Sequence, residues 1–152
     1  MNSSEVDRRK RINEINEKWH RTAAKNHDEE STIREFIYPL LEALGWNLAT
    51  DLKREVNNID CVLYLDNRPY VGIEVKSLSY GVLDEKKDNV IFNRNRLLEN
   101  CRNIGVKWAV LSRYMETIIY DVKNGEKIAF FGHPNEYIDK LKNLEILQKL
   151  SS

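Results

Sequence analysis

Asp60-Cys61-Val62-Leu63-Tyr64-Leu65-Asp66-Asn67-Arg68-Pro69-Tyr70-Val71-Gly72-Ile73-Glu74-Val75-Lys76 is the stretch that decides the fold of this chain. Strand side chains alternate between the two faces of a sheet, so the runs Asp60 to Leu65 and Tyr70 to Lys76 sort by parity. Cys61, Leu63, Leu65, Val71, Ile73 and Val75 share one face, and all are apolar, which predicts that this face packs into the core. Asp60, Val62, Tyr64, Tyr70, Gly72, Glu74 and Lys76 share the other, with the charges at one end. Asp66-Asn67-Arg68 is turn chemistry, so the two runs form an antiparallel hairpin. A three-residue turn would pair Leu65 with Pro69 and set Asp60 opposite Glu74.

Two carboxylates facing each other across a ladder repel. A bound divalent cation would turn that repulsion into ligation, and Mg²⁺, with Mn²⁺ as a substitute, suits two carboxylates because it takes oxygen ligands and keeps several waters. Lys76 would point toward whatever the ion holds. The set suits phosphodiester hydrolysis, in which the ion activates water and the lysine orients it or balances charge on phosphorus. Gly72 would leave space for a backbone or ligand to approach. The same residue types on an exposed sheet face also make an ordinary salt bridge worth little energy, and the spacing alone does not separate the two.

The surrounding elements supply context. Val6, Ile12, Ile15 and Trp19 recur at helical steps, predicting an amphipathic helix over about 5–26. Its Arg8, Arg9, Lys10 and Arg11 are either phosphate contacts or a solvated helix face. Ile33, Phe36, Ile37, Leu40, Leu41 and Leu44 predict a second helix from about Glu29 to Leu44, kinked or strained at Pro39 and ended by Gly45. A strand over Asn47 to Val56 precedes the hairpin, with Asn57-Asn58 as its turn. Downstream the spacing predicts a helix over about Lys87 to Asn103 stopped by Gly105, strands Val106 to Ser112, Thr117 to Asp121 and Lys127 to Phe131, and a last helix over Glu136 to Leu150. The order α-α-β-β-β-α-β-β-β-α predicts an α/β (α+β) fold with a mixed central sheet flanked by helices.

The chain has 152 residues, enough for one domain, 1–152, with a substantial core. Lys+Arg and Asp+Glu both number 24, so nucleic acid could be held only by a local basic surface, not by bulk charge. No apolar run reaches the roughly 18 residues of a membrane span and no signal peptide is evident, so a cytoplasmic protein is expected. Cys61 and Cys101 lack metal-ligand spacing and read as reduced core thiols; His20, His27 and His133 are scattered, which argues against a histidine-based site.

The residues resemble the PD-(D/E)XK nuclease superfamily, and more closely the N-terminal nuclease domain of type I restriction enzyme R subunits. The resemblance runs from about Asp28 to Val122. Its pieces are Glu29-Glu30-Ser31-Thr32 leading to Phe36-Ile37-Tyr38-Pro39-Leu40-Leu41, then Leu44-Gly45-Trp46, Ile59-Asp60-Cys61-Val62-Leu63, Ile73-Glu74-Val75-Lys76-Ser77, Gly105-Val106-Lys107-Trp108-Ala109-Val110-Leu111 and Ile118-Ile119-Tyr120-Asp121. It implies a restriction-endonuclease-like fold and a DNA endonuclease of restriction or defence type. Asp60, Glu74 and the helix-borne Glu29 would be metal ligands, with Glu30 as the alternative to Glu29, and Lys76 would be the catalytic lysine. Acids in a first helical turn also have a plain reason, the helix dipole.

Two positions depart from the family. Arg96, with Asn95 beside it, stands where the family often carries glutamine, and either is a candidate substrate contact. Ser112-Arg113-Tyr114 replaces the usual Thr-Asn-Gly. The chain carries no G-x-x-x-x-G-K-[ST] phosphate loop, so a nuclease of this kind would act alone, as a homodimer or with a separate partner subunit. A noncatalytic nucleic-acid-binding or assembly module that keeps the nuclease fold is the alternative, and RNA is a third, weaker substrate option.

Overall fold

The computed structural model describes residues 3–22 and 27–150. Strand β1 (Leu52–Val56) meets β2 (Ile59–Leu65) with Val56 opposite Ile59, and β2 meets β3 (Arg68–Val75) with Leu65 opposite Arg68. Both connections are therefore two-residue turns. Asn57, Asn58, Asp66 and Asn67 take φ of 50, 63, 51 and 65°, the left-handed backbone that matches strand twist and that Asn and Asp tolerate best after glycine. The second turn is one residue shorter than the sequence predicts. A bulge between Leu63 and Tyr64 absorbs the difference, because pairing shifts from Tyr64↔Pro69 to Leu63↔Val71 and leaves Tyr70 as the extra residue. Beyond it Cys61 faces Ile73, which brings Asp60 level with Glu74 after all.

The sheet continues in sequence order through β4 (Trp108–Ser112), β5 (Thr117–Asp121) and β6 (Lys127–Phe131). Among the described residues only β3 and β4 pair in parallel; the other neighbouring strands are antiparallel. The molecule is thus the expected mixed sheet with flanking helices. The helix Asp88–Ile104, α5 below, makes the crossover between β3 and β4. It ends at Gly105, whose φ of 78° lets the Val106 N–H turn back to the Cys101 carbonyl at 3.1 Å.

Helix α1 spans Ser3–Thr22. The last part of the expected helix, 23–26, lies outside the described residues. Arg8 and Arg11 bind within the chain rather than facing solvent together: Arg8 Nε donates to Ala43 O at 3.3 Å and its Nη1 pairs with Glu145 at 3.2 Å, while Arg11 Nη1 donates to Glu42 O at 3.4 Å. The second helix runs as α2 (Glu29–Thr32), a π-helical segment (Ile33–Ile37) and α3 (Tyr38–Ala43). Pro39 has no N–H to offer the carbonyl of Glu35. The wider turn before it bonds Tyr38 N–H to Ile33 O instead, and Lys18 Nζ donates to Glu35 O at 3.3 Å, so the helix changes type ahead of the proline.

Two predicted elements are shorter than expected. Asn47 to Asp51 is not strand: Asn47 Oδ1 accepts from Ala49 N–H at 3.1 Å and Asp51 Oδ2 from Asn47 N–H at 2.9 Å, which closes the short helix α4 (Leu48–Asp51). The C-terminal helix is broken into α6 (Glu136–Asp139), α7 (Leu141–Leu144) and a 3₁₀ turn (Glu145–Leu147), interrupted at Lys140 by a ψ of 39°. Leu141, Leu144 and Leu147 nonetheless bury themselves in the chain's own core and are not offered to a second subunit.

Both faces of the sheet are covered. Ile12, Phe36 and Leu44 pack with Leu63, Val71, Ile73 and Val75 on the face the parity assigns to the core. The opposite face is core as well for most of its length, because Val90, Leu97, Leu98 and Cys101 of α5 pack on Val62, Ala109, Leu111 and Tyr120. Each such aliphatic side chain contributes about 1.5–3 kcal/mol when fully buried. Gly72 serves this packing and not ligand access: a Cβ there would lie 2.7 Å from Cys101 Sγ. Cys61 and Cys101 are buried and free, and burial pushes both thiols up to about 12. Among the described residues no helix is long and apolar enough to cross a membrane.

Candidate active site

Glu74 is the penultimate residue of β3 and points to the α5 side of the sheet, where the helix covers it almost entirely; it is 7% exposed. Asp60, near the start of β2, is held from both ends. Its Oδ2 accepts the Val75 N–H at 2.8 Å, so the side chain supplies the next rung of the β2–β3 ladder, and its carbonyl accepts from Arg54 Nε at 2.9 Å. Lys76 follows β3, and its N–H donates to Ser112 O at 2.8 Å, extending the parallel pairing with β4 by one step. The three residues singled out from the sequence are thus brought together by backbone register.

Two cations converge on one carboxylate oxygen. Lys76 Nζ lies 3.3 Å and Arg96 Nη2 3.2 Å from Glu74 Oε2. Burial raises the pKa of the Glu74 carboxyl above its ordinary value of 4.5, the negative charge of Asp60 raises it further, and Lys76 opposes both. Asp60, Glu74 and Arg96 line a cleft of about 500 Å³ together with Glu55, Asn58 and Asn100. Glu55 takes a φ of 55° at the mouth of that cleft, a conformation costly for a residue with a side chain.

Arg96 is therefore at the site, as its place in the sequence suggested, but Asn95 is not. Asn95 Oδ1 accepts from Arg94 Nε at 3.2 Å, and its side chain lines a separate hollow with Glu99 and Arg102. Glu29 is exposed on the first turn of α2 and is not gathered with Asp60 and Glu74; among the described residues no three His, Cys, Asp or Glu side chains are close enough to hold a metal ion together. Glu30 instead grips Arg54 with both oxygens, at 3.0 and 2.9 Å, and that arginine also takes Tyr38 Oη at 3.1 Å. The helix acid thus supports Asp60 indirectly, through Arg54.

Three supporting residues escaped the sequence. Asn93 is buried on α5, donates from Nδ2 to Tyr80 Oη and to Asn89 O, both at 2.8 Å, and accepts from Arg96 Nη2 at 3.0 Å. The Tyr80 ring centroid lies 5.4 Å from Lys76 Nζ. Arg54 is the third. Asn93 carried a usable signal, standing three residues before Arg96 on the same helix face; Tyr80 and Arg54 carried none.

The donor set fits an ion such as Mg²⁺, which takes one or two carboxylates and completes its shell with water, and does not fit an all-protein cage. Asp60 Oδ1 and Glu74 Oε1 take no part in the backbone and ion-pair contacts above, and the two carboxyls lie within hydrogen-bonding reach of each other. Comparison of the chain with protein-family models, with curated proteins and with solved structures gives no match in any of the three.

Proposed function

We propose that this protein is a divalent-metal-dependent endonuclease acting on DNA, with a restriction-endonuclease-like fold of the PD-(D/E)XK type and a role in restriction or defence. The observation that carries the reading is the level placement of Asp60 and Glu74 in one cleft, with the buried carboxyl held above its ordinary range and Lys76 against it. A scaffold gains nothing from burying one acid beside another, whereas a metal site does. The strand order and the parallel β3–β4 pair joined through α5 agree with that fold type.

Asp60 and Glu74 would hold Mg²⁺ or Mn²⁺, which supplies a water of lowered pKa and neutralises charge on the phosphate. Lys76 orients the attacking water by donating to it and balances charge as it develops on the phosphate oxygens. Its backbone bond to Ser112 and the Tyr80 ring fix where the ammonium sits. Arg96 binds a phosphate of the same strand, a task suited to its planar fork of donors. Double-strand cleavage calls for two such sites, in a homodimer or with a separate partner subunit, or for two visits.

Plasmid and linear DNA, with RNA alongside, are incubated with Mg²⁺, Mn²⁺ or chelator, and with the variants Asp60→Ala and Lys76→Ala. Metal-dependent cleavage of DNA is expected, reduced about 10²–10³-fold in Lys76→Ala, the usual cost of losing one preorganised electrostatic group. Absence of cleavage under every metal condition, or activity in both variants unchanged from the wild type, would overturn the proposal. A second reading, a noncatalytic nucleic-acid-binding or assembly module, draws on the fact that Lys76 and Arg96 already neutralise Glu74. Calorimetric titration with Mg²⁺ and Mn²⁺ separates the two, since the module binds neither ion.

A further inference from the structure

Four charged side chains gather around Glu74: Asp60 and Glu74 itself are negative, Lys76 and Arg96 positive, so this inner group is formally neutral without any ion, while the acid Glu55 stands exposed at the rim of the cleft. The two cations are held differently. Lys76 sits at a strand end, its backbone tied to Ser112, and its side chain is 12% exposed. Arg96 is 47% exposed and reaches in from α5 along the cleft wall. Its guanidinium is held by two acceptors, Glu74 Oε2 at 3.2 Å and Asn93 Oδ1 at 3.0 Å, and stands 5.6 Å from the centroid of the Phe92 ring. Phe92 is itself 63% exposed, which leaves open space beside the guanidinium for it to swing outward.

Resting on the nuclease reading above, we propose that Arg96, positioned by Asn93, is a resident counterion of Glu74 that a nucleic-acid phosphate must draw away before the divalent ion binds tightly. Charge balance around the shielded Glu74 and Lys76 sets the order of events. Adding a doubly charged cation to a neutral cluster sets it against Arg96 and Lys76, and that repulsion is strong where water is scarce. A phosphate at the cleft brings the missing negative charge and offers the guanidinium a better bidentate partner than one carboxylate oxygen. Arg96 then moves from Glu74 to the phosphate, and Glu74 Oε2 keeps Lys76 as its one cation, which lowers the positive charge the ion meets. Metal and DNA each favour the other, and by linkage the factor is the same in both directions. Asn93 sets the resting position of Arg96 and, through Tyr80, braces the ring beside Lys76; it is a positioning residue that touches no reactant.

Mn²⁺ binding is followed by electron paramagnetic resonance on the full chain, with and without a short DNA duplex. In the wild type the duplex is expected to raise Mn²⁺ affinity about 5- to 150-fold, the usual span of a coupling between two sites. Arg96→Gln, at a half-exposed side chain, is expected to bind Mn²⁺ more tightly than the wild type without DNA, and to gain less than about twofold from the duplex. Arg96→Lys keeps the charge and retains most of the coupling, whereas Asn93→Ala weakens it while leaving Mn²⁺ able to bind. Equal Mn²⁺ affinity of wild type and Arg96→Gln in the absence of DNA overturns the inference and leaves the nuclease reading standing. No Mn²⁺ binding to either protein, with or without DNA, overturns both.

Discussion

Gly72→Ala tests the packing on which the site rests. The added methyl would meet Cys101 Sγ at 2.7 Å, with Ile59 Cγ2 and Val106 Cγ1 at an ordinary 3.5 and 3.6 Å. The sulfur is fully buried and sits on α5, so relief requires helix and sheet to part or the cysteine to leave its rotamer. Overpacking of this kind costs about 1–3 kcal/mol. At about 2–4 °C per kcal/mol for a domain of this size, Tm should fall by about 2–12 °C. Cys101→Ala alone removes one heavy atom and should cost about 0.5–1.5 kcal/mol, by analogy with other small core deletions. In the double variant the methyl occupies the space vacated by sulfur, so the pair should be more stable than the sum of the single losses predicts by at least about 0.5 kcal/mol. Urea unfolding followed by tryptophan fluorescence measures all four proteins. Additivity within about 0.3–0.5 kcal/mol would refute the claim that Gly72 is there for the close approach of α5.

Two further outcomes follow from buried charges. The Glu74 proton is bound more tightly in the folded than in the unfolded chain, so the stability it contributes is full below its ordinary 4.5 and is lost as pH rises through the raised folded value. The Tm of Glu74→Gln minus that of the wild type should therefore grow more positive with rising pH over that window; a flat or falling difference contradicts the burial of a charged Glu74. Glu116 takes Arg113 Nε and Nη2, both at 2.7 Å, and the Leu83 N–H at 2.9 Å, while Arg113 Nη1 caps Leu78 O at 3.0 Å. Glu116→Ala leaves a buried arginine unpaired and should cost about 3–5 kcal/mol, with limited proteolysis or amide exchange rising first between 78 and 87; protection unchanged there would show that the pair does not hold that segment.

The hairpin was legible because strict alternation over Asp60–Leu65 and Tyr70–Lys76 leaves little choice of faces. The expected facing of Asp60 and Glu74 was reached through a turn one residue too long, and it holds only because the bulge at Tyr70 compensates. Helix existence was also legible, whereas the break at Lys140 and the π segment before Pro39 were not, since apolar spacing survives both. Asn47 could have been read as a cap, being an Asn ahead of Leu-Ala-Thr-Asp. Burial of Glu74 could not be seen at all. It depends on which sheet face α5 covers, and parity along a hairpin says nothing about a helix that follows it. Tyr80 was hidden for a similar reason, since it is tied to Asn93, 13 residues on, whereas Asn93 itself was legible from its place three residues before Arg96.

The single parallel pair in the sheet has a consequence for the order of folding. Strands β1 to β3 and β4 to β6 form two meanders, each closed by local turns, and only the β3–β4 seam spans a long connection. Local pairings pay a small loop-closure cost and are expected to form before the seam, which needs α5 to form and lie down. Asp60 and Glu74 belong to the first meander and face each other as soon as it closes, whereas Arg96 and the Ser112 anchor of Lys76 arrive only with the seam. Until then the nascent sheet carries two acids and one neighbouring cation, Lys76, at its growing edge. The remaining negative charge opposes premature association of that edge with other chains, and Arg96 offsets it in the same step that completes the sheet.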